Sequence, residues 1–285
     1  MYYDINNMDD LISKISIDVD VDIFQLTSEK MDCYISTKKL SNNIKINYAY
    51  FNTSIELIGK NKSDSYCFSF ILSKNSYKFN SSTVALDQFI FLKPNDIFNS
   101  INFNNFSIIS IFIPIKLLPN YSKFKSGLYN TNSIDTLLDI KNIALSLLKA
   151  SKKDLKYFEN ELLLKDNIDL LTLKDEQREG IHKYFAMYQN ISTFIHNNSN
   201  ENISIINIAK HFNISDRTLR NIFIDQMGIS PKKYLNYIKL NKLNKNLKNN
   251  KNETVTSVIL NSGFSNHSST TKEFKKLFQI LPKDI

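Results

Sequence analysis

The chain contains few of the residues on which several protein classes depend. Its 285 residues include five glycines, five prolines, four histidines, two cysteines and no tryptophan. So few glycines exclude collagen-like architectures, and the sequence has neither a Gly-rich phosphate loop nor a Gly-x-Ser-x-Gly nucleophile turn. The two cysteines, Cys33 and Cys67, are typical of a reducing compartment and cannot form a four-ligand metal site by themselves. The sequence therefore predicts no enzyme, no cofactor and no metal site.

Long apolar runs are missing as well. The most apolar stretch, residues 106–118, is too short to cross a bilayer, and Lys116 interrupts it. The first ten residues are acidic and contain no apolar signal-peptide core. With 42% apolar residues the chain can still bury a sizeable core. These features predict a cytoplasmic protein that does not bind a membrane.

The excess of positive charge is confined to the end of the chain. Residues 1–185 contain 22 basic and 22 acidic side chains, whereas residues 186–285 contain 14 basic and 6 acidic ones. The last hundred residues thus carry the whole net charge of +8. A segregated basic segment favours nucleic acid as a partner, although a solvated basic face without a partner has the same composition.

Short segments with a period of two dominate residues 15–115. In residues 17–23 aspartates alternate with Ile and Val, which predicts a strand. Further predicted strands are residues 44–51, 66–72, 88–92 and 108–113, and the predicted turns between them are residues 59–64, 74–76, 80–82, 93–96 and 102–105. Many short strands at this spacing predict a β-sandwich or a barrel.

From residue 134 the period becomes helical. Leu137, Ile140, Ala144 and Leu147 share one helical face, and a second apolar helix spans about residues 155–171. The polar residues 172–180 predict a boundary. We therefore predict an α+β chain of three parts: a β-rich domain (residues 1–133), a helical dimerisation or linker region (residues 134–180) and an all-helical domain (residues 186–285).

The all-helical domain contains two helix–turn–helix patterns joined by a longer helix. In the first pattern the predicted helices span about residues 204–212 and 216–226, with Ser215 as N-cap and Gly228 as the stop. Ser230 and Pro231 predict the start of the joining helix, which runs to about residue 248. In the second pattern the predicted helices are residues 255–260 and 267–278.

In each pattern the second helix presents polar side chains opposite its apolar face. Arg and Asn suit the edges of guanine and adenine in the major groove, and lysines and hydroxyl groups suit phosphates. The predicted base contacts are Arg217, Arg220, Asn221, His267, Ser268 and Lys272. The predicted phosphate contacts are Ser215, Thr218, Lys232, Lys242, Thr271 and Lys275.

Residues 186–285 resemble the DNA-binding domain of the AraC/XylS family of bacterial transcription regulators. The shared pieces are Ile208-Ala209, the Ser215, Leu219 and Phe223 frame, Gly228-Ile-Ser-Pro231 followed by Tyr234, the Lys239-Leu240 pair, Val255 with Val258-Ile259, Gly263-Phe264, Ser268, and Phe274-Lys275-Lys276 with Phe278 and Pro282. One helix-turn-helix pattern alone is a weak signal, but two in tandem at this spacing are a specific one. Thr270 stands where the family usually has an apolar residue, and Gln279 stands where glycine is common.

The resemblance implies both a fold and a function. It implies an N-terminal cupin-like β-barrel with trailing helices that form a homodimer, a small-molecule effector of fatty-acid-like character, and RNA polymerase as a partner. About seventeen residues of joining helix at ~1.5 Å each give a spacer of roughly 25 Å, which allows both recognition helices to enter adjacent major grooves of double-stranded DNA. We therefore predict a sequence-specific transcription regulator, an activator rather than a repressor.

Two alternatives from other classes stay open at this stage. The N-terminal domain of a co-regulator would dock a protein partner instead of a small molecule. A nonspecific DNA-binding protein would show little preference among sequences, whereas a regulator exceeds its own nonspecific binding by ~10³ or more.

Overall fold

The structure is a computed structural model, and the chain divides into two compact units. The structure describes residues 2–5, 7–74, 77–80, 82–131, 133–151, 156–169, 171, 184–201 and 203–285. Unit 1 comprises Met1–Ile23 and Met31–Glu179, and unit 2 comprises Phe24–Lys30 and Gly180–Ile285. The predicted boundary at residues 172–180 lies outside the described residues. Within the described residues no helix has the length and apolar character needed to cross a membrane.

Unit 1 is mainly β-structure with three helices among its described residues. The helices are α1 Met8–Ile15, α2 Ile134–Lys149 and α3 Lys156–Asp169. The strands are β1 Tyr2–Ile5, β2 Val19–Gln25, β3 Cys33–Lys39, β4 Lys45–Phe51, β5 Ile55–Asn61, β6 Ser65–Ile71, β7 Tyr77–Phe79, β8 Ser82–Thr83, β9 Gln88–Leu92, β10 Ile97–Asn102, β11 Phe106–Pro114 and β12 Gly127–Asn130. The last two residues of β2, Phe24 and Gln25, are part of unit 2. The predicted α+β class is confirmed.

The strands form two sheets that face each other across an apolar core. The larger sheet has the order β1-β3-β4-β11-β6-β9-β12, and the smaller has the order β2-β5-β10-β7-β8. Buried side chains from both sheets belong to one apolar cluster. Neither strand order returns to its starting strand, so the predicted barrel takes the form of two open, facing sheets.

Helices α2 and α3 cover the other face of the larger sheet. Because successive side chains of a strand point to opposite faces, Phe68 and Phe70 of β6 pack toward the helices, whereas Cys67 faces the smaller sheet. Leu137 and Ile140 of α2 are fully buried in the same apolar cluster as Phe68 and Phe70. Each such side chain contributes about 1.5–3 kcal/mol by leaving water. Unit 1 is therefore a three-layer structure whose central sheet is buried on both faces.

One predicted turn is partly wrong, because Gly59 lies inside a strand. Residues 59–64 were expected to form a turn, but β5 continues to Asn61. A Cβ atom at Gly59 would lie 2.1 Å from the Asp20 carbonyl oxygen. The glycine here permits two backbones to approach closely instead of marking a turn. Ser82, expected in a turn, likewise begins β8.

Unit 2 contains six helices among its described residues. They are α4 Phe185–Asn198, α5 Ile205–His211, α6 Asp216–Met227, α7 Pro231–Asn249, α8 Val255–Asn261 and α9 His267–Phe278. In five of them the side chain of the N-cap residue accepts a hydrogen bond from the backbone N–H three residues later. These N-caps are Ser204, Ser215, Ser230, Thr254 and Asn266. Because caps are local interactions, sequence patterns predicted α5 to α9 to within one or two residues at each end.

The core of the first helix-turn-helix pattern lies between α4, α6 and α7. The ring centre of Phe223 lies 5.4 Å from the ring centre of Tyr188 and 5.1 Å from that of Tyr234. The Tyr234 hydroxyl lies 2.8 Å from Ser192 Oγ and 2.9 Å from His196 Nε2. This buried hydroxyl is therefore hydrogen-bonded, and the three helices are held in one arrangement.

Candidate nucleic-acid interface

Helix α6 buries one face and exposes the other. Leu219, Ile222 and Phe223 are fully buried, at the spacing of three and four residues that one helical face requires. The predicted base contacts of this helix lie on the exposed side: Arg217, Arg220 and Asn221. Ile224 is 46% exposed on the same helix. The structure thus brings together two guanidinium groups and one amide on a single solvent-facing surface.

The N-terminal end of α6 offers hydroxyl groups next to the backbone N–H groups of the first turn, which have no carbonyl partner within a helix. Ser215 Oγ accepts a hydrogen bond of 3.0 Å from the Thr218 backbone N–H and lies 2.9 Å from Thr218 Oγ1. The first turn of a helix carries partial positive charge. Ser215 is exposed and Thr218 is half-buried. Both hydroxyls are placed where an anionic phosphate is favoured.

Helix α9 repeats this arrangement with a polar residue in its buried face. Phe274 and Leu277 are buried, and Thr270 is only 4% exposed. Thr270 Oγ1 donates a hydrogen bond of 2.7 Å to the Asn266 carbonyl, so the buried hydroxyl is satisfied within its own helix. The exposed candidates of this helix are His267, Ser268, Lys272 and Lys275. A threonine at a usually apolar position is therefore compatible with the packing of α9.

Two predicted phosphate contacts are not on these exposed surfaces. Thr271 is half-buried, and its hydroxyl oxygen is covered by protein. Lys242 is half-buried, and its ammonium group donates to the His196 carbonyl. Lys232, by contrast, is exposed in the first turn of α7. Lys232 is thus better placed than Lys242 for a phosphate contact.

Sequence reasoning missed the structural role of Lys239. This side chain is buried, and its Nζ donates to the Gly263 carbonyl at 3.2 Å and lies 5.8 Å from the Phe264 ring centre. Burial lowers the pKa of its ammonium group. Lys239 therefore ties α7 to the turn of the second pattern. Only its place beside Leu240 in the family frame distinguished it from the other lysines of α7.

The two helix-turn-helix units share unusual backbone conformations at matching positions. Asn213 and Gly263 in the two turns have φ of 52° and 79°. Gly228 and Gln279, which follow α6 and α9, have φ of 67° and 62°. Left-handed residues at both places redirect the chain in the same way. The two units are therefore copies of one local geometry, joined by α7, whose 19 residues span about 28 Å.

Two other kinds of site are less well supported by the described part of the chain. No group of three His, Cys, Asp or Glu side chains there is arranged to hold a metal ion. Cys33 and Cys67 are both buried and free. Burial raises the pKa of each thiol from 9.0 to about 12, which disfavours the reactive thiolate.

The C-terminal part of the chain matches known sequences. Residues 208–285 match the family model described as a helix-turn-helix domain. The HTH-type transcriptional activator RhaS of Citrobacter koseri is 30% identical over 118 residues, which are 41% of this chain and 41% of RhaS. The chain thus spans about two fifths of the length of this curated relative.

Two solved structures are similar to almost the whole chain at low sequence identity. The AraC-like transcriptional activator CuxR is 13% identical with a TM-score of 0.48, covering 92% of this chain and 99% of CuxR. ToxT from Vibrio cholerae, bound to an unsaturated fatty acid, is 17% identical with a TM-score of 0.33, covering 94% of each chain. These scores do not by themselves support a shared function. The sequence matches and the two capped helix-turn-helix units agree, and residues 208–285 form a helix-turn-helix domain of the AraC type.

Proposed function

We propose that this chain is a sequence-specific DNA-binding transcription regulator that activates its target genes. The observation that carries the proposal is the pair of helix-turn-helix units, each with an exposed polar face on its second helix and joined by α7. The +8 charge of residues 186–285 favours the same partner, because cations released from DNA supply salt-dependent affinity. RNA polymerase is the proposed protein partner of the activator.

In this mechanism α6 and α9 enter adjacent major grooves of double-stranded DNA. Arg217, Arg220 and Asn221 contact base edges from α6, and His267, Ser268 and Lys272 do so from α9. In the same proposed mechanism the phosphate contacts come from the N-cap Ser215 and Thr218 at the start of α6, from Lys232 in the first turn of α7 and from Lys275 in α9. Base contacts then set the sequence, and phosphate contacts set the register of the protein on the duplex.

The first experiment is genome-wide DNA capture with the full-length protein at physiological salt. A shared sequence motif that spans two adjacent major grooves supports the proposal. Binding that is diffuse and lost at moderate salt supports a nonspecific DNA-binding protein instead. The absence of any DNA capture overturns the proposal.

Substitutions then separate base contacts from phosphate contacts. Arg220→Ala is expected to cost about 1–3 kcal/mol at the captured site and to relax the preference at one base position. Lys232→Ala, on an exposed side chain, is expected to weaken binding to captured and random DNA by the same factor. Equal losses on both DNAs for both variants would remove Arg220 from the base contacts.

The proposed control of the regulator is a small molecule bound in unit 1. A cavity of about 150 Å³ lies between the two sheets, with mostly apolar walls. A cavity of roughly this size is filled by a molecule as large as benzene. Ring-sized or short-chain effectors are therefore favoured over long-chain fatty acids.

Two amide groups in the cavity wall indicate the polarity of that effector. Asn102 and Asn47 line the cavity, and the Oδ1 atom of each is buried without a hydrogen-bond partner among the described residues. Their nitrogens are engaged: Asn102 Nδ2 donates to the Thr53 carbonyl and Asn47 Nδ2 to Asp18. Unpaired buried acceptors are costly. We therefore infer an apolar effector that carries at least one hydrogen-bond donor, such as a hydroxyl group.

Homodimerisation through α2 and α3 is the second proposed level of control. Ile134 and Leu138 of α2 are 60% and 48% exposed, and Leu162 and Leu163 of α3 are 64% and 50% exposed. Ile134 and Leu138 lie four residues apart and so share one helical face. Large apolar side chains of this kind are typical of helices that bury a further surface in an oligomer.

A further inference from the structure

Seven residues from the N-terminal part of the sequence belong to the helical unit. Phe24–Lys30 are part of unit 2, although the residues before and after them in the sequence are part of unit 1. We call these seven residues the insert segment. Phe24, Gln25 and Leu26 are all buried, at 8%, 3% and 4% exposure. The insert segment thus packs within unit 2, although about 150 residues of sequence separate it from the other residues of that unit.

The insert segment pairs with α7 through one asparagine. The Gln25 backbone N–H donates to Asn241 Oδ1 at 2.9 Å, and Asn241 Nδ2 donates to the Gln25 carbonyl at 3.0 Å and to the Tyr237 carbonyl at 2.8 Å. The Asn241 side chain therefore bonds both backbone groups of Gln25, as a neighbouring strand would. Removing it leaves a buried donor and a buried acceptor unpaired, which costs more than one ordinary hydrogen bond.

The insert segment also binds the C-terminal end of the second recognition helix, α9. The last four carbonyl groups of a helix lack partners within that helix. Gln25 Nε2 donates to one of them, the Leu277 carbonyl, at 3.1 Å. The same nitrogen donates to the Thr27 and Glu29 carbonyls of the insert segment at 2.8 and 3.0 Å. One side chain thus connects the fold of the insert segment to the end of α9.

Gln279 makes a second connection from the opposite direction. Its Nε2 donates to the Ser28 carbonyl at 2.9 Å and to the Lys276 carbonyl at 2.9 Å. Its backbone is left-handed, with φ of 62°, a conformation that is unfavourable for a residue with a Cβ atom. Glycine would avoid that cost but has no side chain to reach Ser28. The side-chain bonds of Gln279 thus offset an unfavourable backbone conformation.

A third contact joins the insert segment to α4. The Phe24 ring centre lies 4.5 Å from that of His196, and His196 Nε2 lies 2.9 Å from the Tyr234 hydroxyl of α7. The insert segment therefore contacts α4, which packs against the first helix-turn-helix unit, the joining helix α7, and α9 of the second unit.

We propose that the insert segment is a positioning element for α9, and this inference rests on the proposed DNA-binding function. Gln25 bonds both Asn241 of α7 and the Leu277 carbonyl of α9. The insert segment thereby holds α9 against α7, and α7 sets the distance between α9 and α6. Gln25 acts through α9 and does not itself contact DNA. Residues 186–285 then lack one structural part of the DNA-binding unit.

The test uses the full-length chain with two substitutions and one matched control. Asn241→Ala removes the pairing with Gln25, and Gln25→Met keeps the side-chain volume but removes the donor to Leu277. Asn249→Ala changes the same residue type at an exposed position of the same helix. Hydrogen exchange of backbone amides and footprinting on the captured DNA are measured for all four proteins. The half-site of α9 is identified by Lys272→Ala, and that of α6 by Arg220→Ala.

We expect the amides of α9 to exchange about tenfold faster in both substituted proteins, whereas those of α6 stay within about twofold of wild type. Protection of the α9 half-site falls at least about fivefold relative to the α6 half-site, and Asn249→Ala behaves as wild type. Equal loss of both half-sites, or exchange like that of Asn249→Ala, overturns the positioning role. A wild-type chain without any footprint overturns the proposed function, and the exchange rates then decide separately whether the insert segment holds α9.

Discussion

At the scale of single residues, the polar side chains inside unit 2 are informative because each has an identifiable partner. Thr270 occupies a buried position and satisfies its hydroxyl within α9. Lys239 is buried and bonds a carbonyl at the turn of the second unit. Sequence patterns identified both positions but assigned no partner to either, because partners of buried polar groups depend on which helices meet.

Thr270→Val is expected to be tolerated. The Asn266 carbonyl also accepts the Thr270 backbone N–H, so removing the hydroxyl leaves no unpaired group and adds a buried methyl. We expect the free energy of unfolding to stay equal or rise by up to about 1 kcal/mol. Thr270→Ser, which keeps the hydroxyl and loses the methyl, is expected to lower it by about 1 kcal/mol. Urea denaturation of both variants checks this, and a Val variant less stable than the Ser variant contradicts it.

The two thiols predict a loss of stability at alkaline pH. Burial raises the pKa of Cys33 and Cys67 in the folded chain to about 12, above the ordinary value of 9.0. Above pH 9 the unfolded chain releases protons that the folded chain retains, so the free energy of unfolding falls as pH rises. The stabilisation is fully present below pH 9, and each thiol loses about 1.4 kcal/mol of it by pH 10.

Denaturation between pH 8 and 10 measures that slope. A chain with Cys33→Ala and Cys67→Ala is expected to show a flatter dependence, even if its stability at pH 8 is lower. Burial also raises the pKa of Tyr121 to about 12 and raises that of Tyr77, so some slope remains above pH 10. Parallel slopes in the two proteins would show that the thiols ionise normally in the folded state.

At the scale of elements, the repeated helix-turn-helix geometry depends on residues that adopt left-handed backbone. The two glycines of this kind differ in their surroundings. Gly263 has φ of 79°, and a Cβ atom there would lie 2.5 Å from the Asn200 carbonyl oxygen. Gly228 has φ of 67° with nothing within 4 Å of such an atom. Gly263 thus carries a steric requirement in addition to a conformational one.

This difference predicts unequal costs for the same substitution. Gly228→Ala is expected to lower the free energy of unfolding by about 1–2 kcal/mol, the cost of left-handed backbone in a residue with a Cβ. Gly263→Ala adds a clash with backbone and is expected to cost at least about 1 kcal/mol more. Chemical denaturation of the two variants measures both costs, and equal costs would mean that the Asn200 carbonyl moves aside freely.

At the scale of the whole molecule, the proposed regulator joins a β-sandwich with a small cavity to a basic helical unit. The cavity walls and the exposed apolar residues of α2 and α3 each suggest a binding event outside the DNA-binding unit. Both proposals concern unit 1 and can be measured without DNA. Their outcomes are therefore independent of the proposed recognition residues.

The cavity predicts a preference for a small apolar molecule that carries a hydrogen-bond donor. Phenol is expected to raise the melting temperature of the full-length chain more than benzene does, since its hydroxyl can satisfy an unpaired asparagine oxygen. At a ligand concentration ten times Kd the stabilisation is about 1.4 kcal/mol. Asn102→Leu is expected to remove the difference between the two ligands. Hexanoic acid tests the fatty-acid-like alternative, and stabilisation by that acid alone would contradict the assignment.

The exposed leucines predict where a dimer would separate. Leu162→Glu in α3 is expected to convert a dimer to a monomer in sedimentation experiments, because a buried carboxylate without a partner is strongly unfavourable. Ile97→Glu is the control, since Ile97 is 75% exposed in β10. A wild-type chain that is monomeric at all concentrations, or a dimer that survives Leu162→Glu, excludes α3 as the interface.

The sequence alone determined the helix-turn-helix part of the protein, because the signals there are local. Ser215, Gly228 and Ser230 act on backbone groups within a few residues of themselves, so caps and apolar spacing sufficed to place α6 and α7. The exposed faces of α6 and α9 followed from the same spacing. For these elements the physical cause and its effect lie within one or two helical turns.

Only the tertiary structure decided the order of the strands, the cavity and the insert segment. Gly59 signalled a turn in the sequence, whereas contact with Asp20 makes it part of a strand. Gln25 pairs with Asn241, 216 residues later, and neither residue carries a local signal of the other. Such pairings arise when distant buried groups must find partners as the chain excludes water, and no periodicity along the sequence records which groups will meet.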